Sequence, residues 1–79
     1  MSTKAVILVE TTIGTVKEVA AALRQLDGVK SADVVTGPYD VIAILEAEDF
    51  TDVGHIVTGK INAISGVCRT IVCATQNGP

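Results

Sequence analysis

The sequence has few of the residues that catalysis and metal binding require. Tyr39 and Phe50 are its only aromatic residues, tryptophan is absent, and His55 is its only histidine. One histidine and two cysteines do not give the ligand spacing of a zinc site, and no nucleophile–base pair is visible around His55. The sequence therefore predicts no catalytic residues, no metal site and no cofactor.

Positive charge and long apolar runs are also scarce. Six Lys and Arg residues stand against nine Asp and Glu residues, for a net charge of −3, whereas binding to nucleic acid or to an anionic membrane needs clustered positive charge. No run reaches the roughly 18 apolar residues of a transmembrane helix, and Ala5–Val9 is too short for the core of a signal peptide. We therefore predict a cytoplasmic protein with no direct nucleic-acid partner and no membrane partner.

The two cysteines, Cys68 and Cys73, allow at most one disulfide bond. If both lie on one strand, their odd separation places them on opposite faces and prevents pairing within the chain. Unpaired cysteines are usually buried, so we expect buried free thiols. A reactive thiol and an intermolecular bridge are the alternatives.

What the sequence does contain is an internal repeat. When Gly28 is laid over Gly66, apolar residues coincide along both halves, and each half indicates a strand, a helix and a strand. The predicted strands are 4–10, 29–36, 39–47 and 67–75, and the tail 76–79 is expected to fray. Two such units give the order βαββαβ, a ferredoxin-like α+β fold with an antiparallel four-stranded sheet.

The two predicted helices have separate start signals. Thr15 and Glu18 form a capping box before the first helix, and Asp49 is expected to cap the second. The predicted core side of the first helix is Val16, Val19, Ala20, Leu23 and Leu26. That of the second is Phe50, Val53, Val57, Ile61 and Ile64. Gly54 and Gly59 weaken the second helix by ~1 kcal/mol each relative to alanine, and we expect them to allow close packing.

The predicted sheet is apolar on both faces, although two helices cover only one. In the first strand Val6 and Leu8 alternate with residues that are equally apolar, and the third and fourth strands follow the same pattern. An antiparallel sheet with one wet face normally alternates to polar residues there. A domain of this size also buries only about 60% of the surface that its unfolded chain exposes. We therefore expect a homodimer formed by packing sheet on sheet.

Two further patterns have simple explanations. The segment Gly54–Lys60 is similar to a phosphate-binding loop, but Ile61 replaces the required Ser or Thr and the segment lies within a predicted helix. Acidic residues near the start of the second helix suit the helix dipole, which explains them better than a metal site with His55. They are Glu46, Glu48, Asp49 and Asp52. We expect His55 to face solvent.

The turn between the second and third strands is the candidate binding site. Gly37 permits positive φ or a close backbone approach, Tyr39 offers a flat ring with a hydroxyl group, and Asp40 can accept hydrogen bonds from an ammonium group. Turn N–H groups can hold a carboxylate, so the set suits an α-amino acid. Ordinary turn chemistry is the alternative.

These residues carry a resemblance to a known family. Val34-x-Thr36-Gly37-x-Tyr39-Asp40-Val41, followed by Gly66-Val67-x-x-Thr70, resembles the effector-binding (RAM) domain of the Lrp/AsnC transcriptional regulators over about residues 3–75. The resemblance implies dimers through the sheet face, rings of dimers such as octamers, and amino-acid effectors bound between dimers. By motif match the effector-binding residues are Thr36, Gly37, Tyr39, Asp40 and Thr70. Val72 stands at the second threonine of the family's last-strand motif.

Full-length family members carry an N-terminal helix-turn-helix domain, whereas the first strand here begins by Lys4. We therefore expect one RAM-like domain over residues 1–79, without a helix-turn-helix domain. A further hypothesis is that it modulates full-length Lrp/AsnC regulators by mixed assembly. Two alternatives stay open. One is a small dimeric α/β-barrel enzyme of monooxygenase or isomerase type, which needs an aromatic-lined pocket; the other is a structural assembly module or ACT-like domain.

Overall fold

The computed structural model describes residues 3–74. In chain order its strands and helices are β1 (Thr3–Thr11), α1 (Val16–Arg24), β2 (Val29–Val34), β3 (Val41–Ala47), α2 (Phe50–Ile56) and β4 (Val67–Ala74). A π-helical segment, Val57–Ile61, continues α2. The predicted order of elements is confirmed, and the turn between β2 and β3 is longer than predicted. The predicted tail 76–79 and residue 75 of the predicted last strand lie outside the described residues.

The four strands form one antiparallel sheet in the order β2-β3-β1-β4. Helix α1 contacts β2 and β3, and helix α2 contacts β3 and β1. The fully buried side chains of Ile7 and Val9 on β1 and of Val41 and Leu45 on β3 mark the face that the helices cover. This arrangement confirms the ferredoxin-like α+β fold.

The core of the subunit lies between the helices and this face of the sheet. Its helical side chains are Val19, Ala20, Leu23, Val53, Val57 and Ile61, all buried. Val16, Leu26 and Ile64 are partly buried against the same cluster. The prediction that Phe50 begins the core side of α2 is wrong, because the Phe50 side chain is 61% exposed. It is the first residue of α2, and contact with the core begins one turn later, at Val53.

The helix starts divide between a confirmed and a wrong prediction. Asp49 caps α2, since its Oδ1 accepts a hydrogen bond from the backbone N–H of Asp52 at 2.9 Å. The capping box at α1 is not formed, because the Thr15 side chain makes no cap hydrogen bond. The Thr15 hydroxyl donates instead to the carbonyl of Thr12 at 2.9 Å. The loop between β1 and α1 therefore uses the side chain that the sequence assigned to the helix.

Two glycines allow close contacts where a helix is followed by a strand. Gly28 has φ +93°, and an added Cβ would lie 2.8 Å from the carbonyl oxygen of Glu46. Gly66 has φ +99°, and an added Cβ would lie 2.7 Å from the Thr15 Oγ1. In contrast, a Cβ at Gly54 or Gly59 meets nothing within 4 Å outside the helix backbone. The expectation that these helical glycines serve close packing is wrong within the subunit.

Within residues 3–74 no helix packs on the second face of the sheet, and we call it the open face. By strand alternation it carries two apolar rows across the paired strands. They are Ile42, Leu8 and Ile71, and then Ile44, Val6 and Cys73. Each of these side chains keeps part of its surface exposed in the subunit. The prediction of a sheet that is apolar on both faces is therefore confirmed.

The cysteines are free, but the prediction that they are buried is wrong for the subunit. Cys73 is exposed on the open face, opposite Val6. Cys68 is also exposed and lies where the pairing of β1 with β4 shifts register, between the pairs that Arg69 and Val67 make with β1. β4 is an edge strand of the sheet, and within residues 3–74 both positions stay exposed.

Candidate functional site

The turn between β2 and β3 is held in place by backbone hydrogen bonds at its two ends. The N–H of Val35 donates to the carbonyl of Asp40 at 2.9 Å, and the N–H of Asp40 donates to the carbonyl of Val9 at 2.9 Å. Gly37 has φ +146°, a conformation that residues with a Cβ rarely adopt, and open space surrounds it. Thr36 and Gly37 are exposed at the tip of the turn. The turn is therefore anchored to β1 and leaves its tip accessible.

Asp40 ties the turn to the end of β1 through its side chain. Its Oδ2 accepts a hydrogen bond from the backbone N–H of Thr11 at 2.8 Å and a second from the Thr11 hydroxyl at 3.3 Å. A carboxylate that accepts a backbone N–H makes a strong, charge-assisted hydrogen bond. The group expected to receive an ammonium ion thus also has a structural role.

Tyr39 lies close to Arg69 of β4, a residue that strand alternation places on the open face. The Arg69 Cζ lies 6.0 Å from the centroid of the Tyr39 ring, within reach of a cation–π interaction. The Arg69 Nε lies 3.8 Å from the Glu10 Oε1, and the two residues face each other across β1 and β4. The open face therefore ends, beside the turn, in a cluster of one aromatic ring, one cation and one carboxylate.

Sequence reasoning missed Arg69. It directly precedes Thr70 within the Gly-Val-x-x-Thr motif, and strand alternation alone places it on the opposite face from Thr70. The available signal was that Arg69 is the one cation of the predicted last strand. What sequence reasoning lacked was the position of the turn relative to β4, two strands away.

Thr70 does not join the turn residues. It pairs with Val9, whose side chain is buried on the helix-covered face. Its hydroxyl donates to the Asn62 Oδ1 at 2.9 Å, just beyond the end of the π-helical segment. The structure thus places Thr36, Gly37, Tyr39 and Asp40 in one turn. It places Thr70 on β4, on the face of the sheet that the helices cover.

A groove of about 450 Å³ lies at the opposite end of the subunit. Its lining includes Gly28 from the connection between α1 and β2, Glu48 after β3, and His55 and Lys60 from the second helical segment. His55 is exposed, as predicted. Within residues 3–74 no group of three or more His, Cys, Asp or Glu side chains is arranged to hold a metal ion. The same part of the chain contains no helix that is both long enough and apolar enough to cross a membrane.

These observations define a class of protein. It is a ferredoxin-like subunit with a polar turn at one end of its apolar open face. The family model of the Lrp/AsnC ligand binding domain matches residues 4–74. The chain belongs to this family of transcriptional regulators, which confirms the resemblance drawn from the turn and the last-strand motif.

Known proteins extend the comparison. A curated relative, an uncharacterised HTH-type transcriptional regulator of Pyrococcus furiosus, is 35% identical over 57 residues, which make up 72% of this chain and 38% of that protein. The match therefore spans less than half of the length of that relative. The crystal structure of a hypothetical protein from Pyrococcus horikoshii is 31% identical, with a TM-score of 0.88 over 99% of this chain and 93% of that chain.

A second similar structure shares the fold at lower identity. It is the complex of a Neisseria meningitidis transcriptional regulator with L-Met, which is 22% identical to this chain. The TM-score is 0.84, and the match covers 95% of this chain and 50% of that chain.

Proposed function

We propose that this chain is a non-enzymatic regulatory module that binds an α-amino acid at the turn between β2 and β3 and works as an oligomer. The observation that carries the proposal is the anchored turn on a family ligand-binding fold. Asp40 fixes the turn to Thr11, while Thr36 and Gly37 stay exposed at its tip. The Neisseria regulator that shares this fold forms a complex with L-Met, which supports an amino-acid effector.

In this proposal the turn offers complementary groups to a zwitterion. Exposed backbone N–H groups near Gly37 suit a carboxylate, and the carboxylate of Asp40 suits an ammonium group. Tyr39 adds an apolar ring beside both. Thr70 lies on the opposite face of the sheet from Arg69, so we assign its proposed contact to an effector held by the turn of a neighbouring dimer.

The open face supports the proposed homodimer. Its two apolar rows cross β3, β1 and β4 without a polar side chain. Uncovered apolar surface of this extent is uncommon on monomeric proteins and commonly marks an interaction site. Packing the rows of two subunits on each other satisfies both copies with one symmetric contact.

Exposed side chains at the turn end support assembly of the dimers into larger rings. Ile13 is fully exposed in the loop that follows β1, and Val34 is half exposed where β2 enters the turn. Both lie close in sequence to residues that fix the turn, Thr11 and Val35. A contact between dimers at this end would cover them and would place an effector between dimers.

The relatives support a regulatory setting. Because the curated relative is an HTH-type transcriptional regulator, we propose that this chain acts in the cytoplasm, where such regulators meet DNA. Mixed assembly with full-length family members would then let it modulate them without contacting DNA itself. Copurification of this chain with a tagged full-length regulator, with and without amino acids, tests this step.

Thermal-shift measurements with each of the twenty amino acids, paired with light scattering, test the binding proposal. A ligand that binds the folded state raises its stability by RT ln(1 + [L]/Kd), which is ~2.7 kcal/mol at a concentration one hundred times Kd. We expect at least one amino acid to raise the melting temperature. No shift with any of the twenty would overturn the proposal.

A further inference from the structure

Arg69 brings a cation to the turn from a strand that is not connected to it. Its guanidinium lies 6.0 Å from the centroid of the Tyr39 ring, and its side chain is 62% exposed. The other cations of the sheet, Lys4 and Lys30, lie near the first residues of β1 and β2, at the far end from the turn. Arg69 is therefore the sheet cation placed to meet a ligand that sits at the turn.

The contacts of Arg69 leave most of its hydrogen-bonding capacity available. A guanidinium has five N–H donors in a planar fork, and the contact with Glu10, at 3.8 Å, is longer than a hydrogen bond. A cation–π contact with the Tyr39 ring does not require the guanidinium to give up these donors. The donors at its edge match the two oxygens of a carboxylate in a bidentate pair.

We propose that Arg69, beside the turn N–H groups near Gly37, binds the α-carboxylate of the effector and thereby makes the site favour ligands that carry a free carboxylate. This assignment rests on the proposed function of the turn. Glu10 and Asp40 flank the guanidinium and the ring with negative charge, which suits the ammonium group of the same ligand. In the proposed dimer the apolar rows of the open face are buried, and Arg69 lies beyond them, next to the turn.

A simpler role for Arg69 is to hold the Tyr39 ring in place. The two roles differ in what they do to ligands without a carboxylate. If Arg69 binds the carboxylate, its loss weakens the binding of the amino acid and leaves the binding of the corresponding α-carboxamide unaffected. If Arg69 only positions Tyr39, its loss weakens the binding of the amino acid and of the amide equally.

The experiment measures the Kd of wild type and R69Q by calorimetry for the L-amino acids that stabilise the wild type in a screen of all twenty, and for their α-carboxamides. Lys30→Gln is the matched control, because Lys30 is 60% exposed and pairs with Glu46 on the adjacent strand at 3.9 Å. We expect R69Q to raise the Kd of the amino acid about tenfold to a hundredfold and to leave the Kd of the amide unchanged. K30Q should change neither Kd.

The melting temperature and the light scattering of R69Q test whether the fold and the assembly are intact. Equal weakening of amino acid and amide, or no weakening of either, overturns the assignment of Arg69 while the proposed function stands. If the wild type binds none of the twenty amino acids, the proposed function fails, and the assignment fails with it.

Discussion

The carboxylate of Asp40 and the backbone N–H of Thr11 are joined by a 2.8 Å hydrogen bond between two segments that are distant in sequence. One is the turn that bears the candidate binding residues, and the other is the last residue of β1, which leads into the loop before α1. The same carboxylate oxygen also accepts the Thr11 hydroxyl. Any change at Asp40 therefore acts on the position of the turn as well as on its charge.

Substitutions at Asp40 separate these two effects. Asp40→Ala removes the acceptor for Thr11 and should lower the free energy of unfolding by about 1–3 kcal/mol, whereas Asp40→Asn keeps an oxygen there and should cost less. Both should abolish or strongly reduce the melting-temperature shift caused by amino acids, because both remove the negative charge. Asp33→Asn, at an exposed position of β2, is the control. Wild-type binding by Asp40→Asn would show that the charge is not required.

The glycines at the two crossover connections should not tolerate a side chain. Gly66→Ala and Gly28→Ala force a left-handed backbone on alanine, which costs about 1–3 kcal/mol, and each new Cβ meets an atom closer than 3.0 Å. The free energy of unfolding, measured with urea, should fall by at least that amount for both. Wild-type stability of Gly28→Ala would contradict the close approach to the Glu46 carbonyl.

Substitution of the helical Gly54 by alanine should raise stability, in contrast to substitution of Gly28 or Gly66. An added Cβ meets nothing within 4 Å outside the helix backbone, and alanine is a better helix former by up to about 1 kcal/mol. We expect Gly54→Ala to raise the free energy of unfolding in the same urea titration. A loss of stability that grows with protein concentration would instead show that a second subunit packs against this position.

A charge on the open face should prevent dimer formation. Leu8 pairs with Ile42 on one side and Ile71 on the other, so Leu8→Lys places an ammonium group in the middle of the first apolar row. We expect the mass measured by sedimentation to fall to that of one subunit, with circular dichroism showing a retained fold. Ala21→Lys, at an exposed position of α1, should leave the mass unchanged. An unchanged mass for Leu8→Lys would contradict the sheet-to-sheet dimer.

Removal of the apolar side chain at Ile13 should limit assembly to dimers. Ile13 is fully exposed in the loop that follows β1, and we propose that contact between dimers covers it. Light scattering of Ile13→Ser should show dimers under conditions in which the wild type forms larger rings. Phe50→Ser is the control, because Phe50 is also an exposed apolar residue but lies at the start of α2, far from the turn. Loss of rings in both variants would point to a general effect of surface hydrophobicity.

The local pattern of the sequence was sufficient to predict the fold. Strand alternation depends only on neighbouring residues. The self-match of Gly28 with Gly66 shows that one local pattern occurs twice, and each glycine takes positive φ where its helix returns to the sheet. The turn motif and the last-strand motif also identified the family. These features are readable because backbone conformation and side-chain periodicity follow from residues close in the chain.

Contacts between distant elements were decided only by the tertiary structure. Thr15 and Glu18 satisfy the rule for a capping box, yet the Thr15 hydroxyl bonds to Thr12 because the loop after β1 folds back on itself. Phe50 fits the helical spacing of the core but begins α2, and its side chain stays exposed. In each case a local rule competed with the position of a neighbouring segment, and the neighbour prevailed.

The candidate site shows the same division. The residues of the turn, Thr36 to Asp40, were recognisable in the sequence, because one short segment carries them. The meeting of Arg69 with Tyr39, and the separation of Thr70 from both, depend on the strand order β2-β3-β1-β4 and on the register between β1 and β4. A sequence fixes which side of its own strand each residue occupies, but which strand ends lie together depends on how the helices cross over the sheet.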